Sequence, residues 1–404
     1  QVSKHQTLGF HSGLLDVAAQ NPGRETDEGL SPLKVLEQIV EGSSRHPYAK
    51  IDESVLSASM EMLVDRLSQY GIDYNGSIES NQLVLTSMGT WKSSCYVPST
   101  MQAGRVGCGQ HLKAKIIGIK GLRGFSSRQI VESAKDKWPE IKSGQIEFPG
   151  MEKCMEVTPE PMARALENDI NLETFIQRLM DEAKGCDLIG LPPILGIRKT
   201  RKIHEELERK LGCPVFEIPC MPPSVPGIRL KETFEQMLND LGVNQLNKTT
   251  TTRVDPNEKG GFLTECENER EKVTILSKGL IMATGRFLGK GLALNQNEVK
   301  ETLMNLPVVN GNEEEGLYRT RFFDPQGHGI NRIGIETDGV FRPLKLDAQP
   351  VYSNLFSIGT INAHQDWVRE KSGSGIAISS AFKAVDTFIR ENSGLVAKQS
   401  EYGT

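Results

Sequence analysis

The sequence predicts an α/β protein: a Rossmann-like domain split in two, with a second α/β domain inserted between its halves. Two observations lead there. From about residue 112 to 220, short apolar strands alternate with amphipathic helices, the pattern of a mainly parallel sheet. Further on, two apolar strands each close on a glycine, Ile281-Met-Ala-Thr-Gly285 and Asn354-Leu-Phe-Ser-Ile-Gly359, and a helix opens on Ser372-Gly-Ser-Gly375. A strand that ends on glycine leaves room for a ligand at the carboxyl edge of a sheet. On this reading residues 1–110 and 222–390 are the two parts of one domain, 111–221 form the insert, and 391–404 are a flexible tail.

The elements follow in order. Leu56, Met60, Leu63 and Leu67 recur at helical spacing and stop before Gly71, which predicts a helix over 52–70. A strand is expected at 83–86. Within the insert, strands are expected at 115–119, 187–191 and 215–218. Between them lie helices carrying Ile130, Val131, Ala134 and Trp138, then Leu172, Phe175, Ile176 and Leu179, then Ile203, Leu207 and Leu211. After Arg229 a helix with Phe234, Met237 and Leu238 ends at Leu241-Gly242, and β-rich stretches at 249–254, 261–266 and 273–276 return the chain to the split domain. The polar run 296–316, with Glu313-Glu-Glu315, reads as a surface loop.

Composition sets bounds. With 404 residues and 37% hydrophobic content the chain can build two cores. No run approaches the roughly 18 apolar residues of a membrane span, and no signal-peptide pattern opens the chain, so a cytoplasmic protein is expected. Seven cysteines form no Cys-x-x-Cys pair, which sets aside the usual zinc and iron–sulfur spacings; no metal site is expected. A net charge of −5 gives no basic footprint for nucleic acid.

Binding chemistry concentrates near the C-terminus. Gly334-Ile-Glu-Thr-Asp338 is a small-residue turn that lets backbone approach a ring system, with Arg342 close behind. Gly373, Ser374 and Gly375 open a helix whose unpaired N–H groups and positive end suit a phosphate or an electron-rich flavin edge. Gly285, Gly359 and Thr360 stand at the two strand ends, and the Thr360 hydroxyl can bond there. Arg229, pinned by three prolines and a glycine, and Arg286, just past its strand, are candidates for phosphate or substrate. His364 and Asp366 lie where a reactive ring face would be, and histidine titrates near neutrality. With Arg229 they are the catalytic candidates. Each has a plain alternative: a tight loop at the helix start, a surface pair for Arg229, a loop closure for His364 and Asp366.

His46-Pro-Tyr48, Pro222-Pro-Ser-Val-Pro-Gly-Ile-Arg-Leu230, Ala283-Thr-Gly-Arg-Phe-Leu-Gly-Lys-Gly-Leu292 and the C-terminal block together resemble the family of the B subunit of anaerobic glycerol-3-phosphate dehydrogenase, within the two-dinucleotide-binding-domain flavoproteins. The resemblance covers nearly the whole chain. The Gly-Ile-x-Thr-Asp turn is also similar to that of fumarate reductase and succinate dehydrogenase flavoprotein subunits. The opening Gly-x-Gly-x-x-Gly fingerprint has no counterpart; Gly107-Cys-Gly109 lacks the third glycine. The chain therefore reads as lacking the family's first βαβ unit, with 1–16 as the segment just after it.

The resemblance implies FMN as cofactor, with FAD as the alternative. It implies contacts from Ser12 and Gly13 where related chains cross the flavin, and allows a histidyl bond at His11. It also implies a complex that oxidises sn-glycerol 3-phosphate to dihydroxyacetone phosphate and passes electrons toward membrane quinone. The implied partners are the A and C subunits of that complex, the first a catalytic flavoprotein and the second an iron–sulfur membrane anchor. Through them the chain would sit peripherally on the inner face of the membrane. The rival readings are a fumarate-reductase-like flavin oxidoreductase and a structural subunit that has lost its flavin.

Overall fold

The strand–helix alternation is realised as a four-stranded parallel sheet in a computed structural model that describes residues 2–3, 7–20, 31–107, 111–295, 298–309 and 316–400. The chain forms two units. Unit 1 comprises Gln1–His5, Asp16–Leu63 and Gln245–Thr404; unit 2 comprises Gln6–Leu15 and Val64–Asn244.

In unit 2 the strands are β1 (Ala114–Ile119), β2 (Ile141–Ile146), β3 (Leu188–Leu191) and β4 (Val215–Glu217), in the spatial order β2-β1-β3-β4. Every residue of β3 and β4 is buried, as a parallel sheet covered on both faces requires. The helices are α1 (Ser127–Ala134), α2 (Pro159–Leu166), α3 (Asp169–Ala183) and α4 (Thr200–Leu211). Their apolar faces meet the sheet in a core that includes Ile117, Trp138, Phe175 and Phe216. β2 and α2 are not apparent from the sequence. The interior of β2, Lys-Ser-Gly-Gln, is polar and largely solvent-facing, and α2 opens on Pro159-Glu-Pro161, which imitates a loop although proline is well tolerated in a first turn.

The boundaries of this unit differ from the expected insert of 111–221. The helix expected after Arg229 starts earlier, as α5 (Val225–Asp240), capped by the Ser224 hydroxyl, which accepts from Gly227 N–H at 3.5 Å. Arg229 lies inside α5 and bonds to Glu217 at the end of β4, so the helix belongs with this sheet. Upstream, Leu15 bridges Tyr96 and keeps residues 6–15 in the same unit.

In unit 1, the β-rich stretches become β5 (Thr250–Pro256), β6 (Phe262–Glu267) and β7 (Lys272–Ser277), an antiparallel sheet in which β6 alternates buried and exposed residues. β8 (Leu280–Met282) and β9 (Leu355–Ser357) pair in parallel, and α6 runs from Gly373 to Ser400. The core beneath them gathers Met282, Ile333, Ile335, Leu355 and Ile361. Where a flexible tail is expected from 391, α6 continues; once nucleated, a helix adds residues at little cost each. Residues 401–404 of that tail, 310–315 of the polar run and 108–110 of the Gly-Cys-Gly segment lie outside the described residues. At the start of the polar run, Glu298–Glu301 pairs with Leu292–Asn295 just ahead of it.

Candidate functional site

β8 and β9 run side by side, with Leu280 opposite Leu355 and Met282 opposite Ser357, so their carboxyl ends feed two adjacent loops. That edge is where ligands of α/β sheets sit. Gly285 and Gly359 take φ of 66° and 72°, the left-handed region that favours glycine. A side chain at Gly285 would meet nothing closer than Thr360 Oγ1 at 3.6 Å, so the turn opens on free space. Gly359 is fixed from both sides: its N–H donates to Ser380 Oγ at 3.0 Å and its carbonyl accepts from Gln365 Nε2 at 3.0 Å.

These loops concentrate unsatisfied polar atoms. Among the described residues Thr284 Oγ1, Arg286 Nε, Asn362 Nδ2, Gln365 Oε1 and Asp366 Oδ1 are buried without a hydrogen-bond partner. Asn362, Gln365 and Asp366 are at most 2% exposed. An orphaned buried polar group costs about 1–3 kcal/mol, so five of them on neighbouring loops make a donor and acceptor set that a polar ligand would complete. Arg286 is braced by the loops themselves, donating to Asn362 O at 3.1 Å, to Gln365 O at 2.9 Å and to Asn331 O. Burial pulls its guanidinium down to about 10, against the opposing charges of Asp366 and Glu370.

Other predicted residues have different employment. Asp338 Oδ1 accepts from Val340 N–H at 2.9 Å and Arg342 N–H at 2.8 Å, closing its own turn, while Arg342 pairs with Glu391 and lies over the Phe356 ring. The N–H of Gly375 donates to Asp16 O at 2.9 Å, so it is not an open donor at the helix start. Gly373 and Ser374 open α6, and a Cβ at Gly373 would reach 3.0 Å from the Trp367 ring.

His364 adopts φ 66° and its Nε2 bonds to Glu336, a residue the sequence reading passed over. Lys50 Nζ donates to Glu336 Oε1 at 3.2 Å and to Thr337 O at 2.7 Å. Burial would raise the Glu336 carboxyl, but the hydrogen bonds and charges of His364 and Lys50 outweigh it and hold the group at about 2. Glu336 stands within the Gly334-Ile-Glu-Thr-Asp338 turn, and that was its only available signal.

Ser12, Gly13 and Arg229 belong to unit 2. Ser12 Oγ accepts from Leu14 N–H at 3.4 Å, His11 Nδ1 accepts from Gly13 N–H at 3.1 Å, and Tyr74 Oη donates to Gly13 O at 2.6 Å. Gly13 needs its missing side chain, since a Cβ would fall 2.7 Å from that of Pro226. Arg229 is 4% exposed and donates to both Glu217 oxygens, at 2.5 and 2.7 Å, and to Gly196 O at 2.7 Å. The expectation of a guanidinium aimed at a phosphate is thus met by a buried ion pair: α5 turns the side chain inward. Gly13 and Arg229 share the wall of a small cavity of about 110 Å³ with Tyr74, Arg201 and His204.

A family model described as an FAD binding domain matches residues 2–376. Among curated proteins the chain is similar to the B subunit of the anaerobic glycerol-3-phosphate dehydrogenase of Vibrio vulnificus (strain CMCP6), 27% identical over 391 residues, covering 94% of this chain and 87% of that protein. The protein of the same name from Aliivibrio fischeri (strain MJ11) is 25% identical over 414 residues, covering 96% and 89%. That of Pectobacterium atrosepticum is 24% identical over 391 residues, covering 95% and 90%. The β8 and β9 loops fit a flavin: they offer close backbone approach at Gly285 and both donors and acceptors among their orphaned atoms, as a ring with carbonyl and N–H edges demands. Among the described residues no helix is long and apolar enough to cross a membrane.

Proposed function

The chain belongs to the FAD binding domain family, and from that premise we propose that it is the flavin-carrying subunit of an anaerobic glycerol-3-phosphate dehydrogenase. The observation that carries the reading is the set of five orphaned polar atoms on the loops after β8 and β9. The cofactor on this reading is FAD. FMN has the resemblance alone behind it, whereas the matched family is described by FAD.

Bound at these loops, a flavin supplies a hydride acceptor for a secondary alcohol and an outlet for single electrons. The chain's own residues hold and orient. Thr284, Asn362 and Gln365 offer their free atoms to the ring edges, Gly285 and Gly359 keep the floor open, and Arg286 ties the loops together. Glu336 takes the Nε2 side of His364, which leaves Nδ1 to accept the hydroxyl proton as the carbon gives up hydride. Asp366, with one oxygen unpartnered, is the second candidate for that proton.

The substrate is sn-glycerol 3-phosphate and the product dihydroxyacetone phosphate. Electrons leave toward membrane quinone through an iron–sulfur protein, because no cysteine spacing here suits a cluster. Through that protein and a catalytic flavoprotein partner the chain rests on the inner face of the membrane. The test is to purify the chain with and without the proteins it assembles with, record the visible spectrum and identify the released chromophore by chromatography. Bound FAD that bleaches with glycerol 3-phosphate when the partners are present is the expected result. A colourless chain that still assembles would leave only a structural role and sink the cofactor assignment.

A further inference from the structure

The seven cysteines show no paired spacing along the sequence, yet folding brings two of them side by side in unit 2. Cys186 leaves α3 and enters β3; Cys213 leaves α4 and enters β4. Each follows a glycine in the left-handed region, Gly185 and Gly212, both at φ 71°, so one turn, glycine, cysteine and then strand, is written twice. The helices are neighbours, with Lys210 Nζ on α4 3.8 Å from Glu173 Oε2 on α3. The strands are neighbours too: Ile189 pairs with Val215 in parallel, and its N–H donates to Pro214 O at 3.1 Å.

Following that register back sets Cys213 opposite Asp187, one position from Cys186. Parallel strands lie about 4.8 Å apart and rise about 3.3 Å per residue, so the diagonal between the two Cα atoms is about 6 Å. A disulfide spans roughly 4.4–6.8 Å between Cα atoms. Cys186 stands ahead of β3, free of the strand's alternation, and its thiol donates to Glu182 O at 3.5 Å, on the α3 side of the turn. A thiol is a weak donor, so the sulfur is easily released to another partner. Burial raises the Cys213 thiol, and the nearby Cys186 sulfur adds to it ahead of the Glu208 and Asp187 carboxylates. Both cysteines are partly exposed, so a small reagent reaches them. Cys95 and Cys266 are closed off by burial, which also pushes the Cys220 thiol up to about 12, so these three compete poorly.

We propose that Cys186 and Cys213 are a redox-modifiable pair that closes to a disulfide across the ends of α3 and α4 when a small disulfide oxidises it. The chemistry is thiol–disulfide exchange. One cysteine thiolate attacks the small disulfide, forming a mixed disulfide and expelling one thiolate; the second cysteine then attacks the protein sulfur of that bond and expels the other. The two protons of the protein thiols end on the two released thiols. The protein has lost two electrons and the small disulfide has gained them, with no other reactant. The new bond closes the loop that contains α4, which restricts the unfolded chain and fastens the amino-terminal edge of the sheet. Nothing in this inference depends on the flavin reading, since both cysteines belong to unit 2.

The test is to treat the native chain with oxidised glutathione, block the remaining thiols with iodoacetamide and map the unreduced peptides by mass spectrometry. A cross-link between Cys186 and Cys213 should dominate and should disappear with dithiothreitol. It should form at least about tenfold faster than in chain unfolded in urea, which must first close the loop. By calorimetry the oxidised protein should melt about 5–15 °C above the reduced protein. C186S and C213S should each hold the other cysteine as a glutathione adduct, with the rise in melting point gone. Separate adducts at both positions in wild type, a bridge to Cys154 or Cys220 in its place, or closure no faster than in the unfolded chain would overturn the proposal. So would a bridged protein that melts no higher than the reduced one. The wild-type rates decide the matter if either serine variant does not fold.

Discussion

Replacing Arg229 with methionine tests whether that side chain belongs to the fabric of unit 2 or to a ligand. The pair it forms with Glu217 is almost completely desolvated, at 4% and 0% side-chain exposure. Burial alone would raise the Glu217 carboxyl, but Arg229, the Leu195 N–H at 2.8 Å and the Thr100 hydroxyl at 2.7 Å keep it below the ordinary range. R229M leaves that carboxylate with two neutral donors, and leaves Gly196 O with the Thr200 hydroxyl alone at 3.2 Å. Breaking one side of a buried pair costs about 3–5 kcal/mol, the charge left behind being the larger part. A domain of about 150–250 residues loses roughly 2–4 °C per kcal/mol, so unit 2 should melt about 6–20 °C lower. Calorimetry supplies the melting point, and urea unfolding followed by Trp91 and Trp138 fluorescence supplies the free energy. The double variant E217L/R229M, with no charge to strand, should recover a large part of the loss. If R229M melts within about a degree of wild type while substrate-dependent flavin reduction disappears, Arg229 faces a ligand and the burial argument fails.

Glu336 gives unit 1 an acid limb. Its carboxyl titrates at about 2 when folded against an ordinary 4.5, so its contribution is complete above pH 4.5 and drains away as pH falls toward 2. Allowing for solvent screening of a partly exposed group, that is about 2 kcal/mol. E336Q should lack it at neutral pH and show a flatter unfolding curve across that window; curves that run parallel to wild type would contradict the assignment. Thr284→Val removes a buried hydroxyl that has no partner in the protein, so the flavin-free melting point should hold or rise slightly while FAD affinity drops about tenfold. A variant that loses stability and keeps its affinity would show that the hydroxyl is bonded within the protein. Gly375→Ala should weaken FAD at least tenfold and lower the melting point by several degrees, since the new methyl has Tyr48 Oη at 2.2 Å; unchanged values by fluorescence titration and calorimetry would mean the turn is looser than drawn.

Much of this was legible in the chain, and the exceptions have physical causes. β8 and β9 announce themselves because each is apolar and each ends on a glycine with positive φ. Arg229 misleads because Pro222, Pro223, Pro226 and Gly227 imitate a linker, whereas Ser224 caps a helix and Pro226 sits in its first turn, where its missing N–H costs nothing. Gly375 is visible as a glycine, but its reason is Tyr48, more than 300 residues away. Glu336 is silent for the same cause: its partner Lys50 lies 286 residues upstream, and no periodicity connects them. Local chemistry is written in neighbouring letters; buried pairing between distant segments is not.

The interleaved course of the chain also dictates an order of events during synthesis. Unit 2 has all its parts once Asn244 has left the ribosome, and its sheet closes through parallel crossovers between elements that follow one another closely. Residues 16–63 are made before most of unit 2 yet have no finished core to join, because Glu370 and Ser372, to which Ala19, Gln20, His46 and Tyr48 bond, emerge more than 300 residues later. For most of translation that stretch lacks the partners it packs against, while unit 2 forms behind it. A nascent chain stalled near residue 300 should thus carry one protease-resistant unit and a cleavable stretch at 16–63, which stays exposed until α6 arrives.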